Sequence, residues 1–82
     1  MKTIIYSTTT CPYCKMLKNY LEEKGVAFEE KKVDLDDLAK EEMMKASGGF
    51  LGVPFTVVTR EDGSQDTVVG FDKKRINDIY KL

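Results

Sequence analysis

The chain of 82 residues has no histidine and no tryptophan, and it has only two cysteines. Histidine is the usual general base near neutral pH and a frequent metal ligand, so its absence leaves such chemistry to other groups. Two cysteines are too few for the disulfide framework of a small secreted domain. A structural zinc site needs four ligands, which the cysteines of one copy of the chain cannot supply.

The sequence also lacks a large excess of either charge and lacks long apolar runs. The 13 basic and 14 acidic residues give a net charge of −1, which provides no electrostatic case for binding nucleic acid or an anionic membrane. No apolar run approaches the roughly 18 residues of a membrane span, and no basic start followed by an apolar stretch marks a signal peptide. We therefore expect one cytoplasmic, monomeric domain over residues 1–82, without nucleic-acid or membrane partners.

Apolar residues recur with the spacing of three amphipathic helices. The first is predicted over residues 13–24, ended by Gly25; the second over 35–46, capped by Asp34 or Asp36; the third follows Asp72 as its cap. The predicted inward stripes are Cys14, Leu17 and Leu21, then Leu38, Met43 and Met44, then Ile76, Ile79 and Tyr80.

Between these helices, short runs rich in β-branched and aromatic residues predict four strands. They span residues 2–7, 26–33, 55–59 and 65–69, and Asp62-Gly63 marks a hairpin turn between the last two. The order β-α-β-α-β-β-α predicts an α/β fold with one four-stranded mixed sheet and helices on both faces.

The two cysteines stand in the sequence Cys11-Pro12-Tyr13-Cys14, directly before the first predicted helix. Proline suits the first helical position, which makes Cys11 the N-cap and places its sulfur over the N–H groups of Tyr13 and Cys14. Helix N-termini favour thiolate and lower a cysteine pKa to about 3.5–7.5, against about 8.5 for the free thiol. Lys15 adds positive potential beside the same sulfur.

The two thiols are predicted to have different roles. Cys14 lies one turn inside the helix and should be less exposed, with the higher pKa, so Cys11 is the predicted nucleophile and Cys14 the resolving thiol of a redox-active disulfide. Burial of two inert cysteines is disfavoured, because Cys11 follows three threonines in a polar loop. A thiol–disulfide oxidoreductase fits best, and an iron–sulfur cluster bridged between two chains stays open.

Several motifs together resemble the dithiol glutaredoxins, of the thioredoxin-like superfamily. The resemblance rests on Cys11-Pro12-Tyr13-Cys14, residues 40–48, Val53-Pro54 and Gly70-Phe71-Asp72. It implies the thioredoxin-like (glutaredoxin) fold, a cis bond before Pro54 that faces Cys11, and glutathione as reductant of protein disulfides and glutathionylated proteins. Phe50, in the loop before this proline, is expected in the core.

The resemblance also implies where glutathione binds. Its cysteine backbone would pair with Val53, its γ-glutamyl end would meet Gly70, Phe71 and Asp72, and the rings of Tyr13 and Pro54 would form walls. Many glutaredoxins carry a lysine where this chain has Thr8, so we expect weaker glutathione binding. An electron donor recharged by thioredoxin reductase, as in NrdH-redoxins, is the alternative.

Overall fold

The computed structural model describes residues 2–49 and 52–81, and Phe50 lies outside them. Within these residues the chain forms four strands and three helices in the predicted order. The strands are β1 (Lys2–Ser7), β2 (Glu29–Lys32), β3 (Phe55–Thr59) and β4 (Gln65–Val69); the helices are α1 (Pro12–Glu23), α2 (Asp37–Ser47) and α3 (Lys73–Tyr80). None of the helices in this part of the chain is long and apolar enough to cross a membrane.

The strands form one mixed sheet in the order β2-β1-β3-β4, which confirms the predicted α/β, thioredoxin-like architecture. β1 and β2 are parallel, so Ser7 at the end of β1 lies beside Lys32 at the end of β2. β3 is antiparallel to β1, and its first residue, Phe55, pairs with Tyr6. β4 returns antiparallel to β3 and ends with Val69 beside Phe55. Four segments therefore meet where these strands end, along one side of the sheet: those that follow β1, β2 and β4, and the one that precedes β3. We call this side the shared edge.

Helices cover both faces of this sheet, as predicted. Adjacent strand residues point to opposite faces, so Ile5 and Tyr6 enter different clusters of core residues. One cluster packs α1 and α3 on the sheet through Ile5, Leu17, Leu21, Val58, Val68, Ile76 and Ile79. The other packs α2 on the opposite face through Tyr6, Ala39, Met43, Phe55 and Val57.

The C-terminal end of α1 confirms Gly25 as the predicted helix stop. Gly25 adopts a left-handed φ of 73°, which glycine adopts without steric cost. Its N–H donates to the carbonyl of Glu22, and the N–H of Val26 donates to that of Leu21 at 2.9 Å. These two hydrogen bonds form a Schellman motif, which satisfies carbonyl groups of the last helical turn.

Two sequence expectations are corrected here. On α2, Leu38 and Met44 are exposed, at 70% and 40%, and the buried stripe is Met43 with Ala39, because these two side chains pack against Tyr6, Phe55 and Val57 of the sheet. The strand predicted over 26–33 is shortened to β2, since the Val26 N–H closes the end of α1. As an edge strand, β2 carries only charged residues, which discourages pairing with other chains.

An ion pair joins β1, β2 and α1 near the shared edge. The Ser7 hydroxyl and the Lys18 ammonium both donate to Glu30 Oε2, each at 2.8 Å. Ser7 is fully buried. Desolvation raises the pKa of Glu30, but the hydrogen bonds from Lys18 and Ser7 outweigh it and hold this pKa below the ordinary value.

We expect Met43→Ala to lower the free energy of unfolding by about 2–5 kcal/mol, since it leaves a cavity under α2. Leu38→Ala, on the exposed side of the same helix, should change it by less than about 0.5 kcal/mol. Urea denaturation of both variants measures this difference. Equal losses would mean that α2 packs through the stripe containing Leu38.

Glu30→Gln should cost about 1–2 kcal/mol of unfolding free energy at pH 7. A carboxyl whose folded pKa is depressed stabilises the fold above its unfolded pKa, and this contribution disappears as pH falls through the folded pKa. The variant and the parent should therefore converge below the ordinary carboxyl value of 4.5. Denaturation curves across this pH range test the claim, with the exposed Glu41→Gln as control; a pH-independent difference would contradict it.

Candidate active site

The site lies at the sheet edge where β1 ends, and Cys11 and Cys14 form a disulfide there. Cys11 is the N-cap of α1 and Pro12 occupies the first turn, as predicted. The N–H of Cys14 donates to Cys11 Sγ at 3.1 Å. The backbone of the first turn of α1 therefore directs a hydrogen bond and the positive end of its dipole at this sulfur.

The two sulfurs differ in access to solvent. Cys14 is 2% exposed and packs inward from α1, whereas Cys11 is half-buried. Tyr13, between them, is 62% exposed, so its ring stands at the surface beside the disulfide. An incoming group can therefore reach Cys11 more easily than Cys14.

The Val53–Pro54 peptide bond is cis, as predicted. The Pro54 carbonyl accepts a hydrogen bond from the N–H of Gly70 at 2.8 Å, which ties this segment to the start of the α3 region. The Pro54 ring is fully buried, so it cannot form the expected wall of a surface groove. Val53 is half-buried and is the accessible residue of this bond.

The segment after β4 confirms Asp72 as the cap of α3, since its carboxylate accepts the N–H of Arg75 at 3.1 Å. Phe71 is half-buried and packs edge-on against Tyr20 of α1, with ring centroids 5.9 Å apart. The ammonium of Lys73 lies over both rings, at 5.2 Å from the centroid of Tyr20 and 5.6 Å from that of Phe71. Phe71 therefore anchors the segment after β4 to α1, and part of the Phe71 side chain stays exposed to solvent.

A cavity of about 380 Å³ opens beside the disulfide, on the side of β2. We call it the lysine groove, and it is lined by Thr8, Thr9, Thr10, Cys11, Pro12, Cys14, Lys15, Lys18 and Lys32. It brings together four of the predicted site residues, Cys11, Pro12, Cys14 and Lys15. Tyr13, Val53, Pro54 and the segment 70–72 do not line it.

Sequence reasoning missed Lys32 and the loop contact next to it. The Asp34 carboxylate accepts both the hydroxyl of Thr9, at 2.6 Å, and the Thr9 N–H, at 3.1 Å. These hydrogen bonds lower the pKa of Asp34 and attach the loop before Cys11 to the loop after β2. The parallel β1-β2 pair was the available signal, because it places the residues after both strands at one edge.

Comparison with known proteins places this arrangement in a family. The glutaredoxin family profile matches residues 3–61. Glutaredoxin 3 of Escherichia coli K12 is 48% identical over 70 residues, covering 85% of this chain and 84% of that protein.

Solved structures agree with this match. The glutaredoxin of Methanosarcina mazei Go1 superposes with a TM-score of 0.80 at 27% identity, over 99% of this chain and 79% of that one. The glutaredoxin-like NrdH-redoxin of Escherichia coli gives 0.77 at 26% identity, over 96% and 95%. With its Cys11–Cys14 pair at the N-terminus of α1, the chain belongs to the glutaredoxin family of thiol–disulfide oxidoreductases.

Proposed function

We propose that this chain reduces protein disulfides and glutathione mixed disulfides, with Cys11 as nucleophile, Cys14 as resolving thiol and glutathione as electron donor. The observation that carries the assignment of roles is the asymmetry of the two sulfurs. Cys11 Sγ accepts the Cys14 N–H, and Cys11 is partly exposed, while Cys14 is almost completely buried. A hydrogen bond and a helix N-terminus favour the thiolate, which is the attacking species.

In the reduced protein, the Cys11 thiolate attacks one sulfur of the substrate disulfide, and the other substrate sulfur leaves as a thiolate. This forms a mixed disulfide at Cys11. Cys14 loses its proton and attacks Cys11 Sγ, which releases the second substrate sulfur and forms the Cys11–Cys14 disulfide. Two glutathione molecules then restore both thiols and leave as oxidised glutathione, so two electrons pass from glutathione to the substrate.

The cysteinyl and γ-glutamyl parts of glutathione would bind on the side of Cys11 away from the lysine groove, and only its glycyl end would point toward Thr8, which lines that groove. Val53 offers its main chain to the cysteine backbone of the peptide, as an added strand does at a sheet edge. The hydrogen bond from Gly70 to Pro54 keeps this segment next to Gly70, Phe71 and Asp72. Backbone N–H groups at the start of α3 suit the γ-glutamyl carboxylate, and the Asp72 carboxylate suits the ammonium.

Reduction by a thioredoxin-type reductase is the second candidate for the electron donor. NrdH-redoxin of Escherichia coli is described as glutaredoxin-like with a thioredoxin-like activity profile, and this chain resembles it over nearly its whole length. Thr8 also stands where many glutaredoxins carry a lysine. The two donors can be separated by a direct assay.

We expect Cys11→Ser to abolish turnover with every disulfide, because the nucleophile is lost. Cys14→Ser should keep activity on glutathione mixed disulfides within about tenfold, since a second glutathione can resolve the intermediate. Steady-state assays with a glutathionylated peptide and with a protein disulfide measure both variants. A Cys11→Ser variant that turns over either substrate would reverse the assignment.

We expect turnover with glutathione and glutathione reductase to exceed turnover with thioredoxin reductase. Thr8→Lys should lower the KM for glutathione by about three- to tenfold, because a charged donor would face the glycyl carboxylate. Asp72→Asn should raise this KM by a similar factor, and asparagine keeps the helix cap. NADPH consumption measures all three.

Gln65→Lys is the control, since it adds the same charge at the start of β4, the opposite end of that strand from Gly70. If neither Thr8→Lys nor Asp72→Asn changes the KM, glutathione does not bind in the proposed place. If, in addition, only thioredoxin reductase supports turnover, the second electron donor is correct.

A further inference from the structure

The lysine groove carries more positive than negative charge among the residues that the structure describes. Lys18 is paired with Glu30, but Lys15 and Lys32 are exposed and have no ion pair among residues 2–49 and 52–81. The carboxylate of Asp34 accepts hydrogen bonds from Thr9 and keeps its negative charge, so Asp34 and Glu30 together offset part, and not all, of the charge of the three lysines. Within a chain of net charge −1, this is a local excess of cations next to the nucleophile.

The lysines come from two elements and line the same groove as Cys11. Cys11, Lys15 and Lys18 follow one face of α1, at spacings of four and three residues. Lys32 ends β2 and reaches the groove across the loop of threonines, because it pairs with Ser7 in the sheet. Thr8 and Thr10 also line the groove, and their hydroxyls add neutral hydrogen-bond donors.

The groove is larger than one carboxylate requires. Its volume of about 380 Å³ lies in the range of ligand-binding clefts in proteins. It therefore has room for side chains of a bound extended segment. Tyr13, Val53 and residues 70–72, which are proposed to hold the cysteinyl and γ-glutamyl parts of glutathione, do not line the groove, so a bound protein segment would meet glutathione only at the glycyl end near Thr8.

From these observations we infer that the lysine groove binds acidic side chains of a protein substrate, next to the sulfur that Cys11 attacks. This inference rests on the proposed role of Cys11 as nucleophile. Lys32 and Lys15 attract the carboxylates, and the hydroxyls of Thr8 and Thr10 donate to the oxygens that the lysines leave free. Contacts between exposed charges favour encounter and selection of the partner more than tight binding. The groove thus selects disulfides that lie in acidic sequence.

The test uses two synthetic peptides, each with one cysteine held in the same small aliphatic mixed disulfide. One peptide has aspartate and glutamate on both sides of the cysteine, and the other has asparagine and glutamine at those positions. The reduced protein is mixed with each peptide in a single turnover, so that no reductant is needed. We expect the acidic peptide to react about three- to tenfold faster at low salt, and this preference to shrink at high salt.

Lys32→Glu should remove the preference, because it lowers the rate with the acidic peptide and leaves the neutral peptide nearly unchanged. Lys2→Glu is the matched control, since it makes the same charge change at the start of β1, at the other end of the sheet. Equal rates for the two peptides, or equal effects of Lys32→Glu and Lys2→Glu, would overturn the inference.

A second measurement separates this inference from the proposed function. Peptides with serine in place of cysteine are titrated into the oxidised protein, and binding is followed by fluorescence anisotropy. Tighter binding of the acidic peptide that Lys32→Glu abolishes supports the groove even if neither peptide is reduced. Equal binding of the acidic and neutral peptides by the parent protein rejects the groove, whatever the turnover.

Discussion

The hydrogen bond from the Cys14 N–H to Cys11 Sγ is the interaction on which the site depends. It exists only if α1 begins at Pro12, and proline fixes that start because its backbone angle suits the first helical position. The helix also needs a fixed place on the sheet, which Leu17 and Leu21 provide by packing into the core under β1. The environment of Cys11 Sγ therefore depends both on the local sequence, which starts the helix, and on tertiary packing, which fixes the helix on the sheet.

The sheet topology explains why distant segments surround this sulfur. Because β1 and β2 run parallel while β3 runs the other way, the ends of β1, β2 and β4 and the start of β3 meet at one edge. Hydrogen bonds then connect these segments in pairs, from Gly70 to Pro54 and from Thr9 to Asp34. Each pair fixes one side of the site, so the two sides can differ in chemistry.

The charges around Cys11 differ from the near-zero net charge of the whole chain. The net charge of −1 says nothing about the site, where Lys15 and Lys32 stand beside Cys11. On the other side, Lys73 is held over the rings of Tyr20 and Phe71, and Asp72 caps α3. Attraction between exposed charges falls off over roughly 8 Å in physiological salt, so a binding partner responds to the charges near Cys11 rather than to the net charge of the whole chain.

Much of this protein could be predicted from the sequence by itself. The element order, the caps Cys11 and Asp72 and the stop at Gly25 depend on neighbouring residues, and all of them are confirmed. The exposure of Leu38 and the burial of Ala39 depend on which face of α2 packs on the sheet. The spacing of apolar residues alone does not fix this face, because neighbouring residues fit the pattern almost equally well. Likewise, the buried ring of Pro54 depends on what packs around it.

The lysine groove belongs wholly to the tertiary structure. Lys15 and Lys32 are 17 positions apart in the sequence, and only the parallel pairing of β1 and β2 brings Lys32 to Cys11. The contact of Thr9 with Asp34 has the same origin. The sequence by itself thus determined the thiol chemistry, because a helix cap is local. Tertiary structure decided what surrounds the thiol, because strand pairing joins residues far apart in the chain.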